Sequence, residues 1–296
     1  MAKPLIVLTN PFLPEIFKKE LAPHARLKYV KTRAALERAI VHADALITRV
    51  FDPVDDALLS RAKNLRVVGN FGVGLDNIDR AAAARRGIAV VNTPGVLTRA
   101  TAELAVTLLF AAARRVPEGE ALCRSGRFRG WTPTMLLGQE LHGRYAVLVG
   151  RGRIGLATAR LFRALGLRIT WITRDDSPRE IEQKLKTAQI LSLHFSLNPS
   201  TRHWLDARRL ALLPKDAIVL NTTRGPTIDE KALIRALQKK QIFAAGLDVY
   251  ENEPDIPKAL RKLPNVVLLP HLGSATREAR EGMARSVISR VLANLV

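Results

Sequence analysis

The stretch from Tyr145 to Gly155, YAVLVGRGRIG, is the feature that most constrains how this chain can fold. A short apolar run passes directly into Gly150, Gly152 and Gly155, and a helix-forming segment follows. The first glycine permits a tight turn, the second lets the backbone approach a pyrophosphate, and the third lets the helix pack close to the strand. The N–H groups at the helix start then face the anion. The stretch therefore predicts a dinucleotide-binding unit of strand, turn and helix.

Short apolar runs separated by helical patterns recur along the rest of the chain. They predict strands at Leu5–Leu8, Ala45–Thr48, Leu65–Val68 and Ile88–Val91, and then at Tyr145–Val149, Ile169–Ile172, Ile190–Leu193, Ala217–Leu220, Ala244–Leu247 and Val266–Leu269. Because helices alternate with these strands and no two-residue hairpin signal joins them, the pattern favours parallel sheets. The later group predicts a doubly wound Rossmann sheet, and the earlier group predicts a smaller α/β domain.

A long helical pattern, Thr98–Arg115, separates the two groups of strands, and a connector rich in glycine and arginine then runs to Gly143. The last segment, Thr276–Leu295, is helical but too short to form a domain. We therefore expect a first domain of residues 1–97 that is completed by residues 276–296. Residues 98–275 are expected to form the dinucleotide-binding domain.

The composition is that of a globular protein with an unusual charge. The 296 residues carry a formal net charge of +20, and the excess is spread along the chain rather than gathered in one segment. An even excess is typical of a solvated surface that attracts anionic cofactors and substrates, and it argues against a specific nucleic-acid partner. Cys123 is the only cysteine, which excludes an internal disulfide and a cysteine metal cluster, and no metal is expected.

Neither a targeting segment nor a membrane span is expected. The apolar run at the N-terminus is too short for a signal-peptide core. The most apolar helical segment, Leu104–Ala113, has about half of the ~20 residues needed to cross a bilayer. We expect a cytoplasmic protein without a membrane partner.

Six stretches of the chain together resemble the D-2-hydroxyacid dehydrogenases. They are FGVGLDNID (71–79), NTPGVLTRATAELA (92–105), VGRGRIG (149–155), LNTTRGPTIDEKAL (220–233), AGLDVYENEP (245–254) and LPHLGSAT (269–276). They occur in the order of the family and at compatible spacings, over nearly the whole chain, and they look most like the glyoxylate and hydroxypyruvate reductases. The resemblance implies a Rossmann cofactor domain, a smaller flavodoxin-like α/β substrate domain, a small 2-oxo or 2-hydroxy acid as substrate, and a homodimer.

The resemblance implies that Arg224 holds the substrate and that Glu253 and His271 form the acid/base pair. Arg224 follows the strand AIVLN, and His271 follows NVVLLP, so both stand where ligands of open α/β sheets collect. A guanidinium binds a carboxylate through a fork, and an imidazole can supply a proton near neutral pH. Glu251 competes with Glu253, which is favoured because the family's glutamate directly precedes a proline.

The resemblance also implies contacts with the cofactor and the substrate. The cofactor residues are expected to be Gly150, Arg151, Gly152, Arg153, Ile154, Gly155, Thr173, Arg174, Thr101, Thr222, Thr223, Asp248, Gly273 and Ser274. Asp248 is expected to accept a hydrogen bond from the nicotinamide carboxamide. Val73 and Gly74 are expected to offer backbone N–H groups to the substrate carboxylate across an interdomain cleft, together with Arg224 and His271.

The end of the second Rossmann strand departs from the family's pattern. NAD-using members usually carry an acidic residue there, whereas this strand reaches Thr173 and Arg174. A cation in place of an anion suits a 2′-phosphate, so NADP(H) is favoured. Asp175 and Asp176 follow at once, and a register shift of two residues would restore NAD(H).

Several functions therefore remain open. The first is a reductase that uses NADPH or NADH to convert glyoxylate or hydroxypyruvate into the D-2-hydroxy acid. A phosphoglycerate, lactate or phosphonate dehydrogenase is an alternative within the same family, because selectivity depends on side chains such as Arg49, Phe71 and Leu75. The charge of +20 also motivates a nucleotide-sensing protein like the corepressors that share this fold, although the complete Arg, Glu and His set favours an enzyme.

Overall fold

The computed structural model describes residues 3–10 and 13–295. Its strands are β1 (Leu5–Thr9), β2 (Arg26–Val30), β3 (Ala45–Arg49), β4 (Val67–Phe71), β5 (Ala89–Val91), β6 (Tyr145–Val149), β7 (Arg168–Ile172), β8 (Ile190–Leu193), β9 (Ile218–Asn221), β10 (Ala244–Leu247) and β11 (Val266–Leu268). Each strand predicted from the sequence overlaps one of these. The first domain was predicted to begin at residue 1 and to be completed by residues up to 296. Of these, residues 1, 2 and 296 lie outside the described residues.

Helices connect the strands. They are α1 (Pro14–Leu21), α2 (Arg33–Ala39), α3 (Asp56–Leu59), α4 (Arg80–Arg85), α5 (Thr98–Ala113), α6 (Val116–Arg124), α7 (Arg153–Ala164), α8 (Pro178–Lys186), α9 (Ala207–Leu210), α10 (Glu230–Gln238), α11 (Lys258–Arg261) and α12 (Arg277–Ala293). Short 3₁₀ turns lie at Ile40–His42 and Gly225–Thr227. No helix within the described part of the chain has the length and apolar character that a membrane span requires.

The chain divides into two compact units. The first unit comprises Met1–Leu97 and Ala275–Val296, and the second comprises Thr98–Ser274. The function that each unit serves stays a prediction.

The first unit contains a parallel five-stranded sheet in the order β2-β1-β3-β4-β5, which is the flavodoxin order. The C-terminal helix α12 packs against β4, where Gly69 leaves room for it. A Cβ at Gly69 would lie 2.6 Å from Val291 Cγ2 and 2.7 Å from Val287 Cγ2. This close approach packs the C-terminal helix against the sheet of the first unit.

One strand of this unit was missed by sequence reasoning. β2 has the sequence RLKYV, and of its five residues only Val30 is buried. An edge strand that keeps its charged and aromatic side chains in solvent lacks the apolar run by which the other strands were predicted. The first unit therefore has one strand more than we predicted.

The second unit contains a parallel six-stranded sheet in the order β11-β10-β9-β8-β6-β7. Apolar side chains cover both faces of the sheet. One face carries a cluster that includes Val147, Leu191 and Leu233, and the other face packs against Leu108 and Phe162. Strand order β8-β6-β7 reverses the direction of winding at β6, so the predicted doubly wound Rossmann sheet is confirmed.

The predicted connector after α5 is partly helical. Helix α6, with Pro117 in its first turn, runs from Val116 to Arg124. Proline is tolerated there because the first N–H groups of a helix have no intrahelical acceptor. Sequence analysis had not predicted this helix, which occupies about the first third of the segment up to Gly143.

Candidate active site

Two of the three glycines in the turn that joins β6 to α7 have no room for a side chain. Gly150 has φ 96°, and a Cβ there would lie 2.6 Å from the carbonyl oxygen of His194. A Cβ at Gly155 would collide with the Gly150 carbonyl oxygen, whereas Gly152 faces open space. Gly152 is the N-cap of α7 and supplies no capping side chain, so the first N–H groups of the helix lack an intrahelical acceptor. The turn fits a pyrophosphate, which would accept these hydrogen bonds.

His194 lies directly beneath this turn and is buried. Its Nε2 lies 2.8 Å from Ser192 Oγ. Among the described residues, its Nδ1 and the nearby sequence candidate Thr222 Oγ1 are buried side-chain atoms without a hydrogen-bond partner. Burial lowers the pKa of His194 to about 3, so the ring is neutral at physiological pH. Sequence reasoning missed His194, which opens the loop HFSLNPST directly after β8.

The end of β7 presents a mixed set of charges. Asp176 Oδ2 accepts the Thr173 N–H at 2.8 Å, and its Oδ1 lies 2.5 Å from Lys184 Nζ. The hydrogen bond from Lys184 holds the pKa of Asp176 below its ordinary value despite an opposing effect of burial. Arg174 and Asp175 are both exposed. Asp176 is thus engaged by its own unit, and Arg174 and Asp175 are the charges presented to solvent.

Arg224 follows β9 on a turn that is held from two sides. Asn221 Nδ2 donates to the Arg224 carbonyl at 3.0 Å, and its Oδ1 accepts the Thr223 N–H at 3.0 Å. On the other side, Gly225 lies against the backbone of Tyr250, and a Cβ there would collide with the Tyr250 carbonyl. Arg224 itself donates from Nη1 to the Thr223 carbonyl at 3.0 Å. The turn leaves little freedom in the position of the arginine Cα.

Glu253 and His271 form a direct pair. His271 Nδ1 lies 2.8 Å from Glu253 Oε2, and both side chains are mostly buried. Glu253 Oε1 accepts the Tyr250 N–H at 2.9 Å, which fixes the other oxygen of the same carboxylate. With Nδ1 donating to the carboxylate, the tautomer of the neutral ring places its acceptor at Nε2. The structure thus pairs His271 with Glu253 and not with Glu251.

Asp248 holds the segment that carries His271. Its carbonyl accepts the His271 N–H at 3.0 Å, and its carboxylate accepts the N–H groups of Leu272 and Gly273 at 2.6 and 2.8 Å. Burial raises the pKa of Asp248, and these N–H groups and the nearby imidazole oppose the rise. Thr101 Oγ1 donates to the Gly273 carbonyl at 2.8 Å. The carboxylate retains further lone pairs, so a role toward a nicotinamide carboxamide stays a prediction.

Strand order brings these groups side by side. Arg224, Asp248 and His271 follow β9, β10 and β11, which are neighbours in the sheet, and Asn221 pairs in register with Leu247 and Leu247 with Leu268. The carboxyl ends of parallel strands meet at one edge, where α/β enzymes bind their ligands. The remaining cofactor candidates, Arg151, Arg153, Ile154, Thr223 and Ser274, also belong to the second unit.

Val73 and Gly74 belong to the first unit and follow β4. The Val73 carbonyl accepts from Asn92 Nδ2 at 2.7 Å, and the Gly74 carbonyl accepts from Asn70 Nδ2 at 2.6 Å. Within the described part of the chain, the N–H groups of Val73 and Gly74 donate to no protein acceptor. They are therefore available to an anionic ligand.

Comparison with known proteins gives a consistent result. The sequence model described as "D-isomer specific 2-hydroxyacid dehydrogenase, NAD binding domain" matches residues 106–273. A glyoxylate reductase of Thermococcus litoralis is 44% identical over 275 residues, which cover 88% of this chain and 83% of that protein.

Two solved structures are similar along nearly their whole length. The TT0316 protein of Thermus thermophilus has a TM-score of 0.92 and 40% identity, with 98% of this chain and 96% of that chain covered. An NADPH-dependent glyoxylate/hydroxypyruvate reductase of Sinorhizobium meliloti, in complex with NADP and malonate, has a TM-score of 0.88 and 33% identity, with 99% and 93% covered.

Proposed function

The chain belongs to the D-isomer specific 2-hydroxyacid dehydrogenases, NAD(P)-dependent oxidoreductases, and from this premise we propose that it reduces glyoxylate and hydroxypyruvate with NADPH. The product from glyoxylate is glycolate, which is achiral, and the product from hydroxypyruvate is the D-2-hydroxy acid, D-glycerate. The observation that carries the proposal is the His271–Glu253 pair at 2.8 Å, which stands beside the strand ends that bear Asp248 and Arg224. The names of the relatives from Thermococcus litoralis and Sinorhizobium meliloti support the choice of substrate.

Arg224 is proposed to hold the substrate. Its guanidinium binds the carboxylate of a 2-oxo acid through two hydrogen bonds and polarises the neighbouring carbonyl. The backbone N–H groups of Val73 and Gly74, in the first unit, are proposed to contribute to substrate binding. When bound, the reduced nicotinamide supplies a hydride to the carbonyl carbon.

His271 is proposed to supply the proton. The imidazolium gives its Nε2 proton to the carbonyl oxygen as that oxygen gains negative charge, and Glu253 stabilises the cation through Nδ1. Asp248 keeps His271 in place by accepting the N–H groups of residues 271–273. In the reverse reaction, the neutral imidazole accepts the proton of the 2-hydroxy acid at the same atom.

The preference for NADP(H) rests on the charges after β7. Asp176 is engaged by Lys184 and by the Thr173 N–H, so the register shift that would present it to a ribose requires both contacts to break. Arg174 is exposed and carries the charge that suits a 2′-phosphate. Asp175 is the residue that would favour NAD(H) instead. Arg151, 6.0 Å from the ring of Trp171 in β7, adds a second cation near this strand end.

We also propose that the chain forms a homodimer through α6 and the connector that follows it. Val116, Phe128, Trp131 and Leu137 are large apolar side chains in this segment that remain exposed, and Trp131 is 77% exposed. Exposed apolar side chains concentrated in one segment mark interaction sites. Sedimentation of the wild type as a dimer and of Trp131→Glu as a monomer would support this interface, and a monomeric wild type would overturn it.

Initial rates test the proposed function. The purified protein is assayed with NADPH and NADH against glyoxylate, hydroxypyruvate, pyruvate, phosphohydroxypyruvate and a bulky 2-oxo acid. We expect the highest kcat/KM with NADPH and one of the first two acids. Oxidation of neither nucleotide with any acid would overturn the proposal, and a preference for phosphohydroxypyruvate or pyruvate would move the chain to another branch of the family.

A second candidate function is a nucleotide-sensing protein that binds DNA. The net charge of +20 motivates it, although the even spread of that charge along the chain argues against a discrete DNA-binding patch. DNA retention that falls steeply with salt, together with negligible turnover, would support it.

A further inference from the structure

A second histidine–glutamate pair involves Glu251, which lies two positions before Glu253 in the sequence. Glu251 Oε1 is 2.6 Å from His203 Nε2 and 3.1 Å from Arg202 Nη2. The Glu251 side chain is mostly buried, whereas that of His203 is only partly so. Glu253, on the same turn, points instead to His271. The turn between β10 and α11 therefore directs two carboxylates to two different histidines.

Two residues that precede Glu253, Tyr250 and Glu251, anchor this turn to the rest of the unit. Tyr250 is buried, and its hydroxyl donates to the Leu269 carbonyl at 2.9 Å, two residues before His271. The Glu251 N–H donates to Glu230 Oε2 at 3.3 Å. Glu230 is itself buried, and burial raises its pKa. The carboxylate of Glu253 thus depends on a turn with separate anchors on α10, on the His271 segment and on His203.

The segment that carries His203 is hydrogen-bonded to the residues that follow Arg224. The His203 N–H donates to the Pro226 carbonyl at 2.7 Å, and the Leu205 N–H donates to the Thr227 carbonyl at 3.0 Å. Gly225, between Arg224 and Pro226, lies against the backbone of Tyr250 and Glu251 with no room for a Cβ. The contact between His203 and Glu251 therefore closes a ring that includes the Arg224 turn and the Glu253 turn.

We propose that Glu251 and His203 form a positioning pair that holds the Arg224 turn and the Glu253 turn in their mutual arrangement. The inference rests on the proposed function, since it assigns the pair an effect on the same reaction. Neither residue touches the reacting atoms; each acts through Glu253 and Arg224. Without the pair, the turn that carries Glu253 loses its contact with the His203 segment. The carboxylate of Glu253 then occupies more than one position relative to His271 Nδ1.

A double-mutant cycle tests the pair. The variants are Glu251→Gln, His203→Gln and the two together, and Glu182→Gln is the matched control because its pair with Arg208, at 2.5 Å, is an exposed ion pair of the same unit. We expect each single variant to lower kcat about ten- to a hundredfold, since small misplacements of reacting groups have effects of that size. The double variant should be no slower than the slower single variant, because each single variant already removes the same contact between Glu251 and His203. The control should match the wild type.

Two further readouts separate positioning from a loss of stability. The KM for the nucleotide should change much less than kcat, because the glycine turn proposed to bind the pyrophosphate follows β6, outside the two turns that the pair holds. The pH above which the reduction rate declines should move to lower values, because a poorly held Glu253 stabilises the His271 cation less; Asp248 and Glu253 are the carboxylates that face that ring. Thermal melts confirm that each variant is folded.

A readout without turnover keeps the inference separate from the proposed function. The ring nitrogens of ¹⁵N-labelled His271 are titrated by NMR in the wild type and in the three variants. A changed titration of His271 in both single variants, with Glu182→Gln unchanged, supports the pair even if no 2-oxo acid is reduced. An active wild type with unchanged kcat and unchanged His271 titration in Glu251→Gln and His203→Gln would overturn the pair and leave the proposed function intact.

Discussion

The two units are both parallel α/β structures, but they use the charges at their strand ends differently. At the end of β3 in the first unit, Arg49 donates from Nε and Nη2 to the two oxygens of Asp52 at 3.0 and 2.7 Å, and Thr9 donates to the same carboxylate. After β9 to β11 in the second unit, the charged groups come from three strand ends, and His271 pairs with Glu253 from 18 residues away.

We interpret the Arg49–Asp52 pair as one that stabilises the fold and the His271–Glu253 pair as one that takes part in the reaction. A pair formed within three residues, as Arg49 and Asp52 are, is compatible with one local loop and stabilises that loop. A pair formed between two strand ends is held in place by the sheet, so the ring can keep its orientation while it exchanges a proton. Changes to the His271–Glu253 pair should therefore affect turnover first, and changes to the Arg49–Asp52 pair should affect stability first.

The largest effect is expected from His271→Gln. Removal of the proton donor should lower kcat for reduction about 10²- to 10⁴-fold, or ~3–5 kcal/mol in the barrier, with little change in the melting temperature. Initial rates and thermal melts measure the two quantities. A variant that retains most of the wild-type kcat would break the comparison, because the pair would then be structural.

The second-largest effect is expected in the acid stability of the second unit, which depends on His194. The pKa of His194 is about 3 in the fold, below the ~6.5 of an unfolded histidine, so between these values the unfolded state binds the extra proton. Stability is therefore complete above pH ~6.5 and falls on acidification by up to ~1.4 kcal/mol per pH unit. Hydrogen exchange read from peptides of β6 to β8 should report this loss, and His194→Asn should flatten it. An unchanged pH profile in the variant would contradict the assignment.

In the first unit, Asp52→Asn should act on stability. Burial raises the pKa of Asp52, but hydrogen bonds from Arg49 and Thr9 outweigh burial and hold it below the ordinary value. The pair's stabilisation is therefore present above pH ~4 and is lost below it, a lower window than that of His194. The variant should lower the free energy of unfolding by about 1–3 kcal/mol at neutral pH. Denaturant unfolding and initial rates check this, and a large loss of kcat with unchanged stability would reverse the comparison.

The smallest effect is expected from the charges after β7. Arg174→Ala should lower kcat/KM with NADPH about tenfold, ~1.4 kcal/mol, and should leave the value with NADH unchanged, since a charge-assisted hydrogen bond to a phosphate contributes about this much. Asp175→Ala is the matched variant and should not lower kcat/KM with NADPH. Equal losses with both nucleotides in Arg174→Ala would show that the arginine does not discriminate between them.

Much of the fold could be predicted because its signals are local. The glycine turn and the apolar runs depend on residues adjacent in sequence, and every predicted strand overlaps an observed one. Strand β2 and helix α6 were missed because neither has a continuous apolar run or stripe: β2 lies at an edge with exposed side chains, and α6 buries none of its residues.

By itself, the sequence determined two parallel sheets, a glycine turn after β6 and the family to which the chain belongs, because these depend on local patterns and on motifs in order. Only the tertiary structure decided which carboxylate meets which histidine. Glu251 and Glu253 are two residues apart on one turn, and the choice between His203 and His271 depends on the order of β9, β10 and β11 and on a turn packed against Gly225. Contacts between residues distant in sequence follow from the arrangement of the sheet, which no local pattern encodes.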